Sequence, residues 1–132
     1  MSNLCNVAIT TAVTGSIQTA VTGFGAPQAV SIQAAFTYVA SAATSADAYV
    51  QTSIDGVHWV DIANFHFTTS STTQYVNVSG LTAVTTPASI TDGSIANNTV
   101  AQGILGPQYR VKITSVGTYG AGTTLQIDIQ AR

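Results

Sequence analysis

The residues best equipped for chemistry stand together in "TSIDGVHWVDI", residues 52–62. Asp55, His58 and Asp61 fall three apart, with Trp59, the single tryptophan, among them. Carboxylates beside an imidazole are the material of an acid–base pair or of a cation site. On one strand, however, His58 and Asp61 differ in parity and project to opposite faces, so they cannot share a metal. His58 and His66 share parity but are eight residues apart, roughly 26 Å at about 3.3 Å per residue. No HExxH, paired-cysteine or EF-hand spacing occurs. A Ser53–His58 pair across the hairpin lacks an evident orienting acid and oxyanion hole. The sequence therefore assigns no catalytic residue, no metal ligand and no cofactor.

The elements that hold these residues read as a β-hairpin. "AYVQTSI" is a strand, "DG" a turn and "WVDIANFHF" the returning strand. A two-residue loop would set Val50 against Asp61 and Thr52 against Trp59, mixing an apolar face with a polar one. A three-residue loop, Ile54-Asp55-Gly56, pairs Val50 with Val60 and Ala48 with Ile62, and puts Gly56 where a left-handed residue is wanted. Asp55 then accepts hydrogen bonds from turn amides. A bulge near Asn64 would let Phe65 and Phe67 both reach the core. This register turns Trp59 to the outer face, beside Tyr49 and Gln51. Exposed aromatics anchor protein interfaces, and they also suit a sugar ring. Alternatively, the N-terminal arm or a long loop folds over them. The candidate contact residues are Trp59, Tyr49 and Gln51, with Ile90, Ile95 and Ile104 of that loop.

The wider pattern is period-two alternation rich in threonine and valine. Val30, Ile32, Ala34, Phe36 and Tyr38 alternate with polar or small residues. Tyr109, Val111 and Ile113 do the same, as do Leu125, Ile127 and Ile129. "GTYGAGT", residues 117–123, suits a hairpin between these last two strands. That pairing sets Ile113 against Ile127 and Val111 against Ile129 on the core side. It sets Lys112 against Asp128 and Arg110 against Gln130 on the other. "ASAATSADA", residues 40–48, reads as a loop. Residues 1–22, with the short echo "TAVTG", read as an N-terminal arm or edge strand, and an arm could lie on a neighbouring copy. Residues 23–132 read as a single domain with a long loop at 85–107, a stretch that a small hairpin at Thr91-Asp92-Gly93-Ser94 could break up. The fold expected is all-β, a two-layer antiparallel β-sandwich of jelly-roll or immunoglobulin-like type.

Composition narrows the function classes. Charged residues are 6% of the chain, against roughly 25% in an ordinary domain. Glutamate is absent, and 21 threonines and 12 serines supply polar surface instead. A net charge of −2 opposes association only weakly, which suits a subunit fixed among neighbours in a homo-oligomer or larger assembly. Three basic residues cannot make a nucleic-acid patch. No stretch reaches the roughly 20 apolar residues of a membrane helix. The opening "MSNLCNVAIT" has no basic n-region or long apolar run, so no signal peptide is expected. Cys5 is alone, near an end expected to be mobile, and reads as a bystander thiol of a reducing compartment.

Two resemblances follow from motifs. Ser53-x-Asp55-Gly56-x-x-Trp59 is similar to the sialidase Asp-box, but it occurs once, is a residue short, and the chain is far too small for a propeller. "VQTSIDGVHWVDIANFHF", "TDGSIANNT" and "GILGPQYRVKITSVGTYGAGTTLQIDI", within residues 30–132, resemble small structural proteins encoded among the head and tail genes of tailed bacteriophages. That resemblance implies a virion component, made in the host bacterial cytoplasm. Its partners would be the major capsid protein or other virion proteins. A capsid decoration or cement protein suits the size, β content and low charge. The alternative is a neck or tail component, including a fibre-associated module that binds host glycans. The motifs mark a fold family, so no functional residue carries over.

Overall fold

The computed structural model describes residues 1–39, 45–87, 89 and 91–132. Among them are eight strands and no helix: β1 Ser2–Ala8, β2 Val13–Ile17, β3 Ala29–Thr37, β4 Ser45–Ser53, β5 Val60–Phe67, β6 Thr72–Ser79, β7 Gln108–Val116 and β8 Thr124–Ala131. They form two four-stranded antiparallel sheets, ordered β1-β8-β3-β6 (sheet A) and β2-β7-β4-β5 (sheet B). The pairing is nested: β1 with β8, β2 with β7, β3 with β6, β4 with β5. A long antiparallel ribbon rolled into two layers gives this order, the jelly roll of the two topologies expected.

Alternation builds the core. Val30, Ile32, Ala34 and Phe36 of β3 are at most 2% exposed. Tyr109, Val111 and Ile113 of β7 and Leu125, Ile127 and Ile129 of β8 are buried with them. Each such large side chain contributes about 1.5–3 kcal/mol on leaving water. Phe36 of sheet A stacks on Phe67 of sheet B at 4.8 Å between ring centroids, tying the layers together.

The β7–β8 hairpin expected from the sequence does not form. The inward faces are as read, but the strands lie in different sheets: β7 pairs with β4 and β2, β8 with β3 and β1. The connection at 117–123 arches between layers because Tyr119 drops into the core, 2% exposed, and its hydroxyl donates to Thr68 O at 2.8 Å. Glycines 117 and 122, at φ 82° and 94°, permit the path. Lys112 therefore does not meet Asp128.

Other expectations shift too. Ser45–Ala48, read as loop, begin β4, while residues 40–44 lie outside the described residues. Residues 1–22 form edge strands on both sheets, β1 against β8 and β2 against β7, within their own fold. Cys5 is accordingly not on a loose end: it is 7% exposed in β1, and burial pushes its thiol up to about 11. Among the described residues of 85–107 there is no strand, so the small hairpin expected at Thr91-Asp92-Gly93-Ser94 does not form, and Val100 makes only an isolated bridge to Ala63.

Candidate functional site

The turn at 54–59 keeps the expected chemistry in a different register. Thr52 pairs with Val60 and Gln51 with Asp61; then Ile62 bulges, so that Val50 meets Ala63 and Ala48 meets Phe65. The connection is six residues long, and the bulge lies at Ile62 rather than near Asn64. It still brings both Phe65 and Phe67 into the core, as expected. Gly56 is left-handed at φ 79°. Asp55 Oδ1 accepts the amides of Val57 (2.9 Å) and His58 (2.8 Å).

The turn contains more than its sequence suggested. Asp55 Oδ2 lies 2.7 Å from His58 Nδ1, so an orienting acid is present after all. Ser53, however, is on the wrong side of it. Its hydroxyl donates to Asp55 Oδ1 at 3.2 Å and accepts the Gly56 amide at 2.8 Å. In a nucleophilic triad the imidazole stands between serine and acid. Here the acid stands in the middle, an arrangement that locks a turn. The His58 ring, then the His58 and Val57 amides, hold the Asp55 carboxyl well below the usual carboxylate range.

The outer face of sheet B overturns the expectation of exposed anchors. Trp59 is 7% exposed, Tyr49 9% and Gln51 0%. The second half of the long loop covers this face, the alternative left open above. The loop is pinned at Asp61, itself 1% exposed. The Asp61 carboxylate accepts the backbone amides of Gly93 (2.8 and 2.9 Å), Ser94 (3.0 Å) and Ile95 (3.2 Å). Three successive amides aimed at one carboxylate make an anion-binding concavity. A fourth donor, Gln51 Nε2, reaches Asp61 at 2.8 Å and also Asp92 at 2.6 Å. Gln51 Oε1 in turn accepts Arg110 Nε at 2.7 Å.

Arg110 and Lys112 complete a neutral node. Lys112 Nζ is 3.0 Å from Asp92 Oδ1, and Arg110 Nη2 is 3.6 Å from the same oxygen. The Arg110 guanidinium lies 4.3 Å above the Trp59 ring centroid, a cation–π contact that also desolvates it. Burial pushes Arg110 below its ordinary value, against the opposing charges of Asp92 and Asp61. At Asp92 partial burial works upward, yet the Gln51 and Lys112 hydrogen bonds and the Lys112 and Arg110 charges hold it below its ordinary value. Backbone bonds continue the seam: Asp61 N–H to Thr91 O, Asn64 N–H to Thr99 O and Ala101 N–H to Ile62 O.

Much of the charge on this molecule is thus paired within the fold. Two of its three basic residues and two of its five acids meet in the node. Asp47 pairs with His66 at 2.7 Å, and Asp128 accepts from Asn3 at 2.9 Å. Among the described residues no group of three or more metal-ligating side chains converges.

Apolar side chains face outward instead at one end of the sandwich. Ile54 is 73% exposed, Val57 74%, Leu81 73% and Val84 46%. Ile104, half-buried, borders a groove of about 280 Å³ together with Ile54, His58 and Val60. Val84 packs close to Gly103, which joins Ile104 to the 81–84 segment. Of the loop isoleucines named as contact candidates, Ile104 thus borders an open surface. Ile95 is half-buried, held through its amide to Asp61 and its carbonyl to Asn64. Ile90 lies outside the described residues. Sequence reasoning missed Ile54, Val57, Leu81 and Val84; the signal was large apolar residues in turn segments, where burial is not expected.

Comparison of the chain with protein-family models, with curated proteins and with solved structures finds no match.

Proposed function

We propose that this protein is a structural component of a tailed-bacteriophage virion that works by adhesion, as a capsid decoration or cement protein. The observation that carries the reading is the exposed apolar end, Ile54, Val57, Leu81 and Val84, on a double sheet that pairs Arg110 and Lys112 with its own Asp92. The resemblance of residues 30–132 to phage head and tail proteins supports the setting. Jelly rolls serve in capsids and in lectins alike, so the fold by itself does not choose.

The mechanism is passive. Burying an exposed isoleucine, valine or leucine against a neighbour is favourable at about 25 cal/mol per Å² of apolar area. Small contacts repeated over a shell add, because each tethered copy raises the effective concentration of the next contact. A sandwich that bridges subunit seams resists outward pressure with no bond made or broken. Major capsid protein is the first partner expected.

A second reading has its own observation. Tyr75 is 70% exposed beside a concavity of about 390 Å³ bordered by Gln33, Asn77 and Gln130, a combination suited to a sugar ring. That favours a tail or fibre module binding host glycans, with Tyr75 as platform in place of the buried Trp59.

Quantitative mass spectrometry of purified source particles tests both. Hundreds of copies per particle support decoration, and a dozen or fewer, with glycan binding lost in Tyr75→Ala, support the tail module. Absence from the particles overturns the virion reading.

A further inference from the structure

The four edges of the two sheets are treated unequally. β1 is broken by a bulge between Asn3 and Cys5, whose carbonyl accepts the Asn3 side-chain amide at 3.2 Å. β2 is five residues long and bulged between Val13 and Ser16. β5 is overlaid by residues 99–101 through Asn64 N–H to Thr99 O and Ala101 N–H to Ile62 O. Bulges, short strands and covering loops are the ordinary devices against edge-to-edge pairing. β6 has none of them over its first half. Its register with β3 runs unbroken from Thr72↔Phe36 to Ser79↔Ala29. Residues 68–80 contain no charge and no proline.

The hydrogen bonds at the far end of β6 fix which residues face outward. The Gln102 side chain accepts Ser79 N–H and donates to Asn77 O at 3.4 Å, and Gly103 N–H donates to Ser79 O at 2.8 Å. Gly80 N–H points the other way, to Gln28 O on the β3 side. Odd-numbered residues of β6 therefore turn their amides and carbonyls away from β3, since the period is two. At Ser79 both groups of that edge are capped, and at Asn77 the carbonyl is. At Thr73 and Tyr75 it is open among the described residues. Beside it runs a groove of about 310 Å³ bordered by Asn64, Gln74, Val76 and Asn98. The Asn64 Oδ1 in its wall is buried and accepts no hydrogen bond among the described residues.

We propose that β6 pairs with β6 of a second copy of this chain, antiparallel, about a twofold axis through Gln74. In that register Thr73 exchanges both backbone hydrogen bonds with Tyr75 of the second copy, and Tyr75 with its Thr73. The N–H and C=O of Thr73 and Tyr75 are the groups used on each chain, and the Gln102 cap is undisturbed. The two sheets A become one eight-stranded sheet, and a second Gln74 amide is brought to the mouth of the groove. A copy of this chain is the occupant that fits, because an isologous contact needs a self-complementary edge. A strand with no charge offers nothing to an acidic or basic peptide and nothing that repels its twin. The pairing extends the adhesive reading above but rests on the edge alone.

The test is a register-specific cross-link. A residue on the axis of an antiparallel ladder sits about 4.5 Å from its twin, within disulfide range. Under mild oxidation Gln74→Cys should run as a covalent dimer, at twice the 13.5 kDa of the chain, and Asn77→Cys should not. Light scattering on the unmodified chain should give the same doubled mass. Thr73→Pro, which removes an outward N–H that bonds nothing in the monomer, should halve it. Hydrogen exchange needs no variant: the Thr73 and Tyr75 amides should gain protection as protein concentration rises. A monomer at every concentration, or a dimer that cross-links as well through Asn77→Cys, overturns the pairing. A monomer still abundant in particles would sink this inference and leave the virion reading standing.

Discussion

The outer face of sheet B carries Trp59, Tyr49, Gln51, Arg110 and Lys112 and is closed by residues 91–101; the outer face of sheet A carries Ser31, Gln33, Tyr75 and Gln130 and is open. Both are outward faces of four-stranded sheets in the same sandwich. The difference is what each asks of water. Sheet A's outer face has a buried carboxylate of its own, Asp128, but the side-chain amides of Asn3 and Gln126 within the sheet meet it at 2.9 and 3.0 Å, so that face needs no covering loop. On sheet B a buried carboxylate, Asp61, must be met by protein donors, because an ionised group left unpaired out of water costs several kcal/mol. The loop supplies three amides, and its position follows from that need. A polar node of this kind specifies one arrangement of the loop, whereas an apolar cover would tolerate several.

Substitutions that leave one face alone and strike the other sharpen this contrast. The largest effect belongs to Asp61→Ala, which strands the amides of Gly93, Ser94 and Ile95 and removes one of Gln51's partners. Chemical denaturation should show a loss of about 3 kcal/mol, while Gln33→Ala on sheet A changes stability by less than about 0.5 kcal/mol. Equal effects would erase the distinction between the faces. Arg110→Ala comes next. It removes the cation–π contact with Trp59 and the bond to Gln51. About 1–2 kcal/mol should go, with an altered Trp59 emission spectrum.

Acid should loosen sheet B's cover in a defined direction. Asp92 is held below its ordinary value of 3.8, so the stabilisation it lends is present above that pH and lost as pH falls through the lower folded value. Asp55, depressed in the same direction, loosens the neighbouring turn as pH falls below the same ordinary value. Trp59 fluorescence should therefore change below about pH 4, and Lys112→Met should move that change to higher pH. A transition near neutrality would contradict the assignment. The smallest effect is Tyr75→Ala, with Tyr75 70% exposed, which should leave monomer stability within about 0.5 kcal/mol while abolishing any glycan binding.

Much of the fold was legible because alternation reports burial directly. Period two identifies the large inward residues of β3, β7 and β8, while Ser115, buried on the same face of β7, gives no apolar signal. Alternation does not say which sheet a strand joins, and so it fits a β7–β8 hairpin as well as the two separate sheets that form. What separates them is Tyr119, a glycine-flanked aromatic that anchors an arch between layers, and a glycine-rich connection alone cannot distinguish an arch from a hairpin. The candidate site was half legible. Asp55 and Gly56 announced their turn, because their roles are local. Asp61 did not announce its own, since its partners lie 32 to 34 residues away in a segment with no periodicity. The exposure of Trp59 was misjudged for the same reason: strand parity says outward, and only a distant loop decides whether outward means wet.

The account rests on Asp61, Gln51, Asp92, Arg110 and Lys112 being occupied in closing sheet B, which leaves contact to the apolar end and the open edge. Residue-resolved hydrogen exchange on the native chain tests this most directly. The amides of Gly93, Ser94 and Ile95 should be protected to the same order as amides of the central strands. Exchange at those three as fast as in an unstructured peptide would mean that the loop does not hold Asp61, and that Trp59, Tyr49 and Gln51 are an open surface after all.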